Sequence, residues 1–309
     1  MLSALLSLLP GCVSVKTGRE EEDEALYVVC TAYPQYDFVK NIAGENVKLE
    51  MLAPDGTDTH NFGLKDISVP RLSRLEKADL ILYVGGESDE KLIADLQKAL
   101  PNSVRFVSLL SLTSEPLPAM EGHSHDDGHD HENELDEHVW TSPKRAMELV
   151  KGLCKVLCEL DTKNEKIYGD GASAYLEKLS ILDLQYEELI ENRSHDMLIF
   201  ADRYPFRYLC NDYGILAEAA FSGCSSEVEP SLAVLDALYE KAKALGLPAI
   251  LYMEGSNSKY AENIAQKCGA NALMLHSCHT LNSQEMKSEN YISLMENNLN
   301  VLKTALGVK

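Results

Sequence analysis

Eight short apolar runs recur along this chain, and stretches with helical periodicity separate them. Strands that alternate with helices predict parallel sheets with helices on both faces, which is the α/β fold class. Turn signals such as Pro54-Asp55-Gly56 and Gly85-Gly86 end several of the runs. The predicted strands cover residues 25–31, 47–53, 78–84, 104–110, 197–202, 215–221, 249–254 and 271–276.

Four predicted strands lie on each side of one long helical stretch, residues 162–192. A helix of this kind is about 40 Å long at 1.5 Å per residue and can bridge two lobes. Thr162 and Glu165 have the spacing of a capping box at its start. We therefore expect lobes over residues 25–161 and 193–309, joined by this linker helix. Each lobe should contain a mostly parallel four-stranded sheet flanked by helices.

The first 24 residues predict a signal peptide and a tether. Residues 2–9 form an apolar run that is too short to span a bilayer, and Leu9-Pro10-Gly11-Cys12 resembles a bacterial lipoprotein cleavage box. Cys12 would then be lipidated, with the polar stretch 16–24 as its tether. No charged residue precedes the apolar run, so we expect the natural start further upstream. The alternative is an apolar N-terminal arm that packs on the fold.

Composition excludes some classes of partner and site. The net charge of −21 argues against binding to nucleic acid, because phosphate backbones repel an acidic protein, and is compatible with handling cations. The seven cysteines other than Cys12 form no C-x-x-C motif, so a zinc or redox site of that type is not indicated.

Histidines and carboxylates crowd residues 121–143, where five of the nine histidines and eight acidic residues occur without any Lys or Arg. A histidine-rich tract of this composition indicates metal binding, and neutral imidazole suits zinc, copper and nickel. We interpret the first half as a flexible loop that collects metal, and His138, next to the only tryptophan, as a fixed ligand. The alternative is a solvated acidic loop with incidental histidines. The collecting histidines would be His123, His125, His129 and His131.

Four side chains, His138 among them, lie at or after the carboxyl ends of predicted strands, where open α/β sheets bind ligands. His60 and His138 follow strands of the first half, whereas Asp202 and His276 end strands of the second half. If the two halves face each other, these residues meet in one cleft. The sequence therefore predicts a metal site between the lobes.

Four segments carry a family resemblance: Thr31-Ala32-Tyr33-Pro34 with Tyr36-Asp37-Phe38, Asp58-Thr59-His60-Asn61-Phe62, Asp136 to Pro143, and Glu227-Val228-Glu229-Pro230-Ser231. With them the chain, from about residue 25 to 306, resembles the zinc and manganese group of solute-binding lipoproteins of bacterial ABC importers. A histidine-rich loop before the second ligand segment is typical of the zinc members. The resemblance implies metal ligands at His60 and His138.

The second lobe departs from the family pattern. The family's third ligand falls three residues before Phe206, at Arg203, and a permanently protonated guanidinium cannot coordinate a cation. The adjacent Asp202 is the expected substitute. The fourth ligand falls at His276, with His279 as the alternative. The expected donors are thus three imidazoles, completed by a carboxylate or water: His60, His138, His276 and Asp202.

The function implied by the resemblance is extracytoplasmic zinc binding without catalysis. The protein, as a monomer held by a lipid anchor at the outer face of the cell membrane, would deliver Zn²⁺ to an ABC permease and its ATPase. Mn²⁺ is the alternative cargo, although it prefers carboxylate and water ligands to imidazole. An adhesin or metal store with the same fold is a second alternative. A zinc hydrolase is a third, disfavoured because the chain has neither an H-E-x-x-H nor a G-x-S-x-G motif.

Overall fold

A computed structural model describes residues 25–53, 57, 62–119, 135–221 and 230–308. Within these ranges the chain forms two lobes of the same architecture, so the predicted fold class is confirmed. No helix of the described ranges has the length and apolar character needed to cross a membrane.

The first lobe contains a four-stranded parallel sheet with the strand order β2-β1-β3-β4. Its strands form where the apolar runs predict them, but each ends one or two residues earlier than expected. They are β1 (Leu26–Cys30), β2 (Val47–Met51), β3 (Leu80–Tyr83) and β4 (Arg105–Ser108). The helices of this lobe are α1 (Tyr33–Ala43), α2 (Val69–Leu75), α3 (Glu87–Ala99) and α4 (Pro143–Leu160).

The second lobe repeats this topology, with a parallel sheet in the order β6-β5-β7-β8. Its strands are β5 (Met197–Phe200), β6 (Leu216–Ala219), β7 (Ala249–Met253) and β8 (Asn271–Leu275). Its helices are α6 (Arg207–Asp212), α7 (Leu232–Leu245), α8 (Lys259–Cys268) and α9 (Tyr291–Ala305). Equivalent strand ends in the two sheets are therefore available to one site between the lobes.

The long helix α5 (Glu165–Glu191) connects the lobes and packs on α1 and α4 of the first and α9 of the second. Buried tyrosines tie it to both lobes: Tyr175 donates to the carboxylate of Asp37 (2.7 Å), and Tyr186 donates to the carbonyl of Met295 (2.8 Å). Gly171 lets α5 approach α1 closely, because a Cβ there would overlap the carbonyl oxygen of Ile42. The linker thus holds both lobes through specific contacts.

Two helix starts differ from what their local sequence indicates. Residues 162–164 form a 3₁₀ turn, and α5 begins after Asn164 without a side-chain cap, so Thr162 does not open a capping box. Ser142 and Pro143 have the sequence signature of a helix start, and α4 does begin there, but the hydroxyl of Ser142 does not cap the helix. It donates instead to Asp212 of the second lobe (2.7 Å), which leaves Pro143 at the first position of α4 as the local start signal.

The largest hydrophobic cluster runs through both lobes and the linker rather than stopping at their boundary. The fully buried Trp140 lies in it, between β4 and α4 in the chain. Trp140 donates from its indole nitrogen to the carbonyl of Ser277 (2.8 Å), and Tyr291 donates to the carbonyl of Trp140 (2.6 Å). These bonds join the segment that carries His138 directly to the second lobe.

Candidate metal site between the lobes

His138 lies in a buried position at the end of the first-lobe sheet, with 5% of its surface exposed. Its backbone N–H donates to Asp136 Oδ1 (2.9 Å), and its ring Nδ1 lies 3.3 Å from the same oxygen. A carboxylate oxygen only accepts, so Nδ1 carries the proton and the lone pair of the ring is on Nε2. A carboxylate behind a histidine in this way orients it and makes it a better metal ligand.

The adjacent Glu137 anchors this segment to the first lobe. Its carboxylate accepts hydrogen bonds from the backbone N–H (2.7 Å) and hydroxyl of Ser88 in the first turn of α3. The N-terminus of a helix is the favourable place for such a charge. Gly86 leaves room for it, because a Cβ there would overlap the Glu137 carboxylate. Asp136 therefore orients the ring of His138, and Glu137 fixes the segment that carries it to the first lobe.

The residue of the second lobe that reaches His138 is His279. The centres of the two imidazole rings are 5.8 Å apart, and each ring makes an edge contact with Trp140, at 5.5 and 5.4 Å. With Zn–N distances of 2.0–2.1 Å, two imidazoles on a tetrahedral zinc have ring centres about 5 Å apart. A small approach of the two rings would thus let one ion bind both.

A left-handed turn directs His279 towards the first lobe. Cys278 has a φ of 61°, and among the described residues no other residue except glycine has a positive φ. Glu254, which directly follows β7, holds the turn in place. Its carboxylate accepts hydrogen bonds from the N–H (2.8 Å) and the hydroxyl of Ser277. The Ser277 hydroxyl accepts in turn from the His279 N–H (3.3 Å). Such strain persists only where the surrounding structure imposes it, and it is typical of functional sites.

His276 supports this turn. Its Nδ1 accepts a hydrogen bond from the backbone N–H of Cys278 (2.9 Å) and lies 3.6 Å from a Glu254 oxygen. A neutral imidazole has one lone pair, so a ring that accepts at Nδ1 carries its proton on Nε2. In this arrangement His276 has no lone pair to give to a metal. The backbone of His276 is held by Asn298, which donates to its carbonyl (2.7 Å) and accepts from its N–H (2.8 Å).

Asp202 braces the second sheet. One carboxylate oxygen accepts from the N–H of Arg203 (2.8 Å), and the other accepts from the N–H of Met253 at the end of β7 (2.9 Å). The guanidinium of Arg203 lies 3.9 Å from Asp202 and donates to the hydroxyl of Ser256 (3.2 Å). Both oxygens of Asp202 are thus engaged by the protein.

Several predicted site residues lie outside the described residues, namely His60, His123, His125, His129, His131 and Cys12. The described residues on either side of His60 nevertheless show where its segment begins and ends. Thr57 lines a cavity of about 280 Å³ together with Thr280 and Leu281, which directly follow His279. Phe62 is buried in the first lobe. The segment with His60 therefore begins beside the His279 turn.

The base of the histidine-rich segment also lies beside the site. Pro118 pairs with Leu135 in an antiparallel bridge, and the N–H of Asp136 donates to the carbonyl of Leu117 (2.9 Å). Tyr208 of α6 closes this base from the second lobe, because its hydroxyl accepts from Leu117 N–H and donates to the Asp136 carbonyl, both at 3.0 Å. Within the described ranges, no group of three His, Cys, Asp or Glu side chains could hold a metal.

Sequence reasoning missed the residues that orient the site. In the sequence, Asp136 and Glu137 stand out only as part of the acidic segment that carries His138, and Glu254 only as the end of a predicted strand, so no pattern marks these residues as supports of the site. No sequence pattern pointed to Ser277 either. The alternation of strands and helices indicates where strands end, but not which side chain bonds to which turn.

Comparisons with known proteins agree with this architecture. A model of the ZnuA family, described as zinc-uptake complex component A, periplasmic, matches residues 28–305. The zinc-binding lipoprotein AdcA of Streptococcus pneumoniae is 31% identical over 308 residues, which cover 98% of this chain and 60% of AdcA. The high-affinity zinc uptake system protein ZnuA of Bacillus subtilis is 29% identical, with 100% and 97% covered. The chain therefore spans about three fifths of one relative and nearly all of the other.

A solved structure shares the fold. The Zn(II)-bound ZnuA-like domain of Streptococcus pneumoniae AdcA superposes with a TM-score of 0.74 at 30% identity. The match covers 91% of this chain and 99% of that domain. The two lobes and the linker described above are thus the architecture of a domain that holds zinc in that protein.

Proposed function

Since this chain belongs to the family of zinc-uptake complex component A, we propose that it captures a zinc ion between its lobes and delivers it to an ABC importer. The observation that carries the proposal is the meeting of His138 and His279 from opposite lobes, at a spacing near that of two ligands on one ion. Family membership supports binding and release of the ion rather than catalysis.

The donor set we propose is His60, His138 and His279, with water or a carboxylate at the remaining position. Two facts favour His279 over His276: its ring is the one beside His138, whereas the Nδ1 lone pair of His276 is used by Cys278. For the remaining position Asp202 is a weaker candidate than water, because both of its carboxylate oxygens already accept backbone hydrogen bonds. Three imidazoles favour zinc over manganese, which prefers carboxylate and water.

We propose that the histidine-rich segment collects zinc for this site. Its base is closed by the Pro118–Leu135 bridge, three residues before His138. Metal bound at His123, His125, His129 or His131 would therefore be held close to the tight site. Because these histidines occur in a segment without helix or strand periodicity, their zinc should exchange faster than zinc in the cleft.

The proposed setting is the outer face of the cell membrane, with the chain held by a lipid on Cys12 and the stretch 16–24 as a tether. The partners are a permease and its ATPase, and the chain acts as a monomer. Two observations support this setting: the apolar run followed by Leu9-Pro10-Gly11-Cys12, and the description of AdcA as a lipoprotein.

Metal competition tests the proposed cargo. Protein purified without chelator should contain zinc, and a large excess of manganese should not displace it, since the donors are imidazoles. Cells that express the chain should lose high-affinity zinc uptake when the permease is deleted, although the isolated protein still binds zinc. Displacement of zinc by the excess of manganese would contradict the cargo, and unchanged uptake without the permease would contradict delivery.

A further inference from the structure

Helix α4 carries two cysteines one turn apart, away from the histidine cleft. Cys154 and Cys158 are both half-buried, and their sulfur atoms are 4.0 Å apart. Residues four apart on a helix share one face, so the rigid backbone of α4 holds the two thiols side by side. Cys154 lies 11 residues beyond the first residue of α4, about 16 Å along the helix axis from the Trp140 segment.

The distance between the two sulfurs fits a shared metal ion. With Zn–S bonds of about 2.3 Å, two thiolates on a tetrahedral ion are about 3.8 Å apart. The observed 4.0 Å needs an adjustment of only a few tenths of an ångström. A disulfide would require the sulfurs to approach to about 2.05 Å. The helix therefore presents the pair at the spacing of a metal clamp rather than of a disulfide.

Glu165 places a carbonyl oxygen and a negative charge beside the cysteine pair. The thiol of Cys158 points to the carbonyl oxygen of Glu165, at 3.9 Å. Burial, the neighbouring Cys158 and the charge of Glu165 together raise the pKa of Cys154 to about 11. The thiol of Cys154 therefore holds its proton when no ion is bound. The negative charge of Glu165 attracts a cation, and the cation would take the place of protons on the sulfurs.

We propose that Cys154 and Cys158 form a second metal site, which binds a thiophilic d¹⁰ cation of the class of Zn²⁺ and Cu⁺. Soft thiolate ligands select these ions. Each ion that binds displaces one proton from each of the two thiols, and both protons go to solvent. In the described part of the chain no third His, Cys, Asp or Glu side chain completes the site, so water fills the remaining positions and the ion exchanges readily.

Cadmium is the probe that separates this site from every histidine site. The full chain, stripped of metal and kept reduced, is titrated with Cd²⁺ while the ultraviolet charge-transfer absorption of thiolate-bound cadmium is recorded. Imidazole-bound cadmium lacks this band, so the cleft and the histidine-rich segment are silent. We expect a saturable band that corresponds to two thiolates per ion, and a stepwise release of two protons.

Three variants make the test specific. Cys154→Ala and Cys158→Ala should each abolish the saturable band, whereas Cys268→Ala, which removes a single half-buried thiol in α8, should keep it. Circular dichroism and zinc binding in the cleft should be unchanged in all three, since the pair is remote from His138. Absence of a band in the wild type, or its persistence in Cys154→Ala and Cys158→Ala, would overturn the proposal without touching the proposed function of the cleft.

Discussion

Separate substitutions of His279 and His276 distinguish a residue that coordinates zinc from one that only supports the neighbouring turn. Zinc bound by four donors has an apparent binding free energy of about 10–16 kcal/mol, so each donor accounts for roughly 2.5–4 kcal/mol. His279→Ala should therefore weaken zinc binding roughly 100- to 1,000-fold. His276→Ala removes only the acceptor for the Cys278 N–H, and the loss of such a supporting contact costs about 10- to 100-fold.

His276→Asn is the sharper control. The amide oxygen of Asn can accept the hydrogen bond that Nδ1 of His276 now accepts, but the variant has no imidazole to coordinate zinc. We expect His276→Asn to bind zinc nearly as well as the wild type, because the left-handed turn at Cys278 is kept.

The assay is a titration of metal-free protein with zinc buffered by a competing chelator, followed by the emission of Trp140. This is the only tryptophan of the chain, and its ring lies 5.5 and 5.4 Å from the two histidines of the site. If His276→Asn loses as much affinity as His279→Ala, or if His279→Ala binds zinc normally, the assignment of the second-lobe ligand is wrong.

Further predictions concern the loop, the lobes and the anchor. Deletion of residues 122–132 should leave the tight site intact and remove only weaker zinc binding, as counted by calorimetry. Asp212→Asn should lower the free energy of unfolding by about 3–5 kcal/mol in urea titrations, because it breaks a buried, bidentate ion pair with Arg145 (2.9 and 3.0 Å) across the lobes. Burial and, to a lesser extent, the charge of Glu137 raise the pKa of Asp89 to about 6. Since this exceeds the value in the unfolded chain, the contribution of Asp89 to stability should fall as the pH rises from about 4 to about 6, and the stability of Asp89→Asn relative to the wild type should rise over the same range. Cys12→Ala, secreted with a different signal peptide, should appear in the medium instead of the membrane fraction.

Hydrophobic patterning was sufficient to predict the fold. All eight strands and the linker helix lie where apolar runs and helical periodicity indicate them, because a strand buried in a parallel sheet needs a continuous apolar run. The contacts that fix the ends of the helices were harder to predict. Ser142 has the sequence signature of a helix cap, yet its hydroxyl bonds to Asp212, 70 residues further along the chain. Local signals cannot reveal that a distant carboxylate competes for such a group.

The candidate site was predictable only in part. The strand-end rule led to His138, and the structure gives it a buried, oriented ring. In the second lobe the same rule favoured His276, the first histidine after β8, over His279. The choice between them depends on the backbone at Cys278 and on Glu254, which lies 23 residues before Ser277. A turn that reverses the direction of the next side chain, and is held by another strand, leaves no periodic signal in the sequence.

The most direct test of the central claim is a crystal structure of the zinc-loaded protein with anomalous diffraction recorded at the zinc absorption edge. The strongest anomalous peak should lie between the lobes, about 2.0–2.1 Å from Nε2 of His138 and from one ring nitrogen of His279. His276 should keep its hydrogen bond from Cys278. A peak bound to His276, or one found only in the histidine-rich segment, would contradict the account.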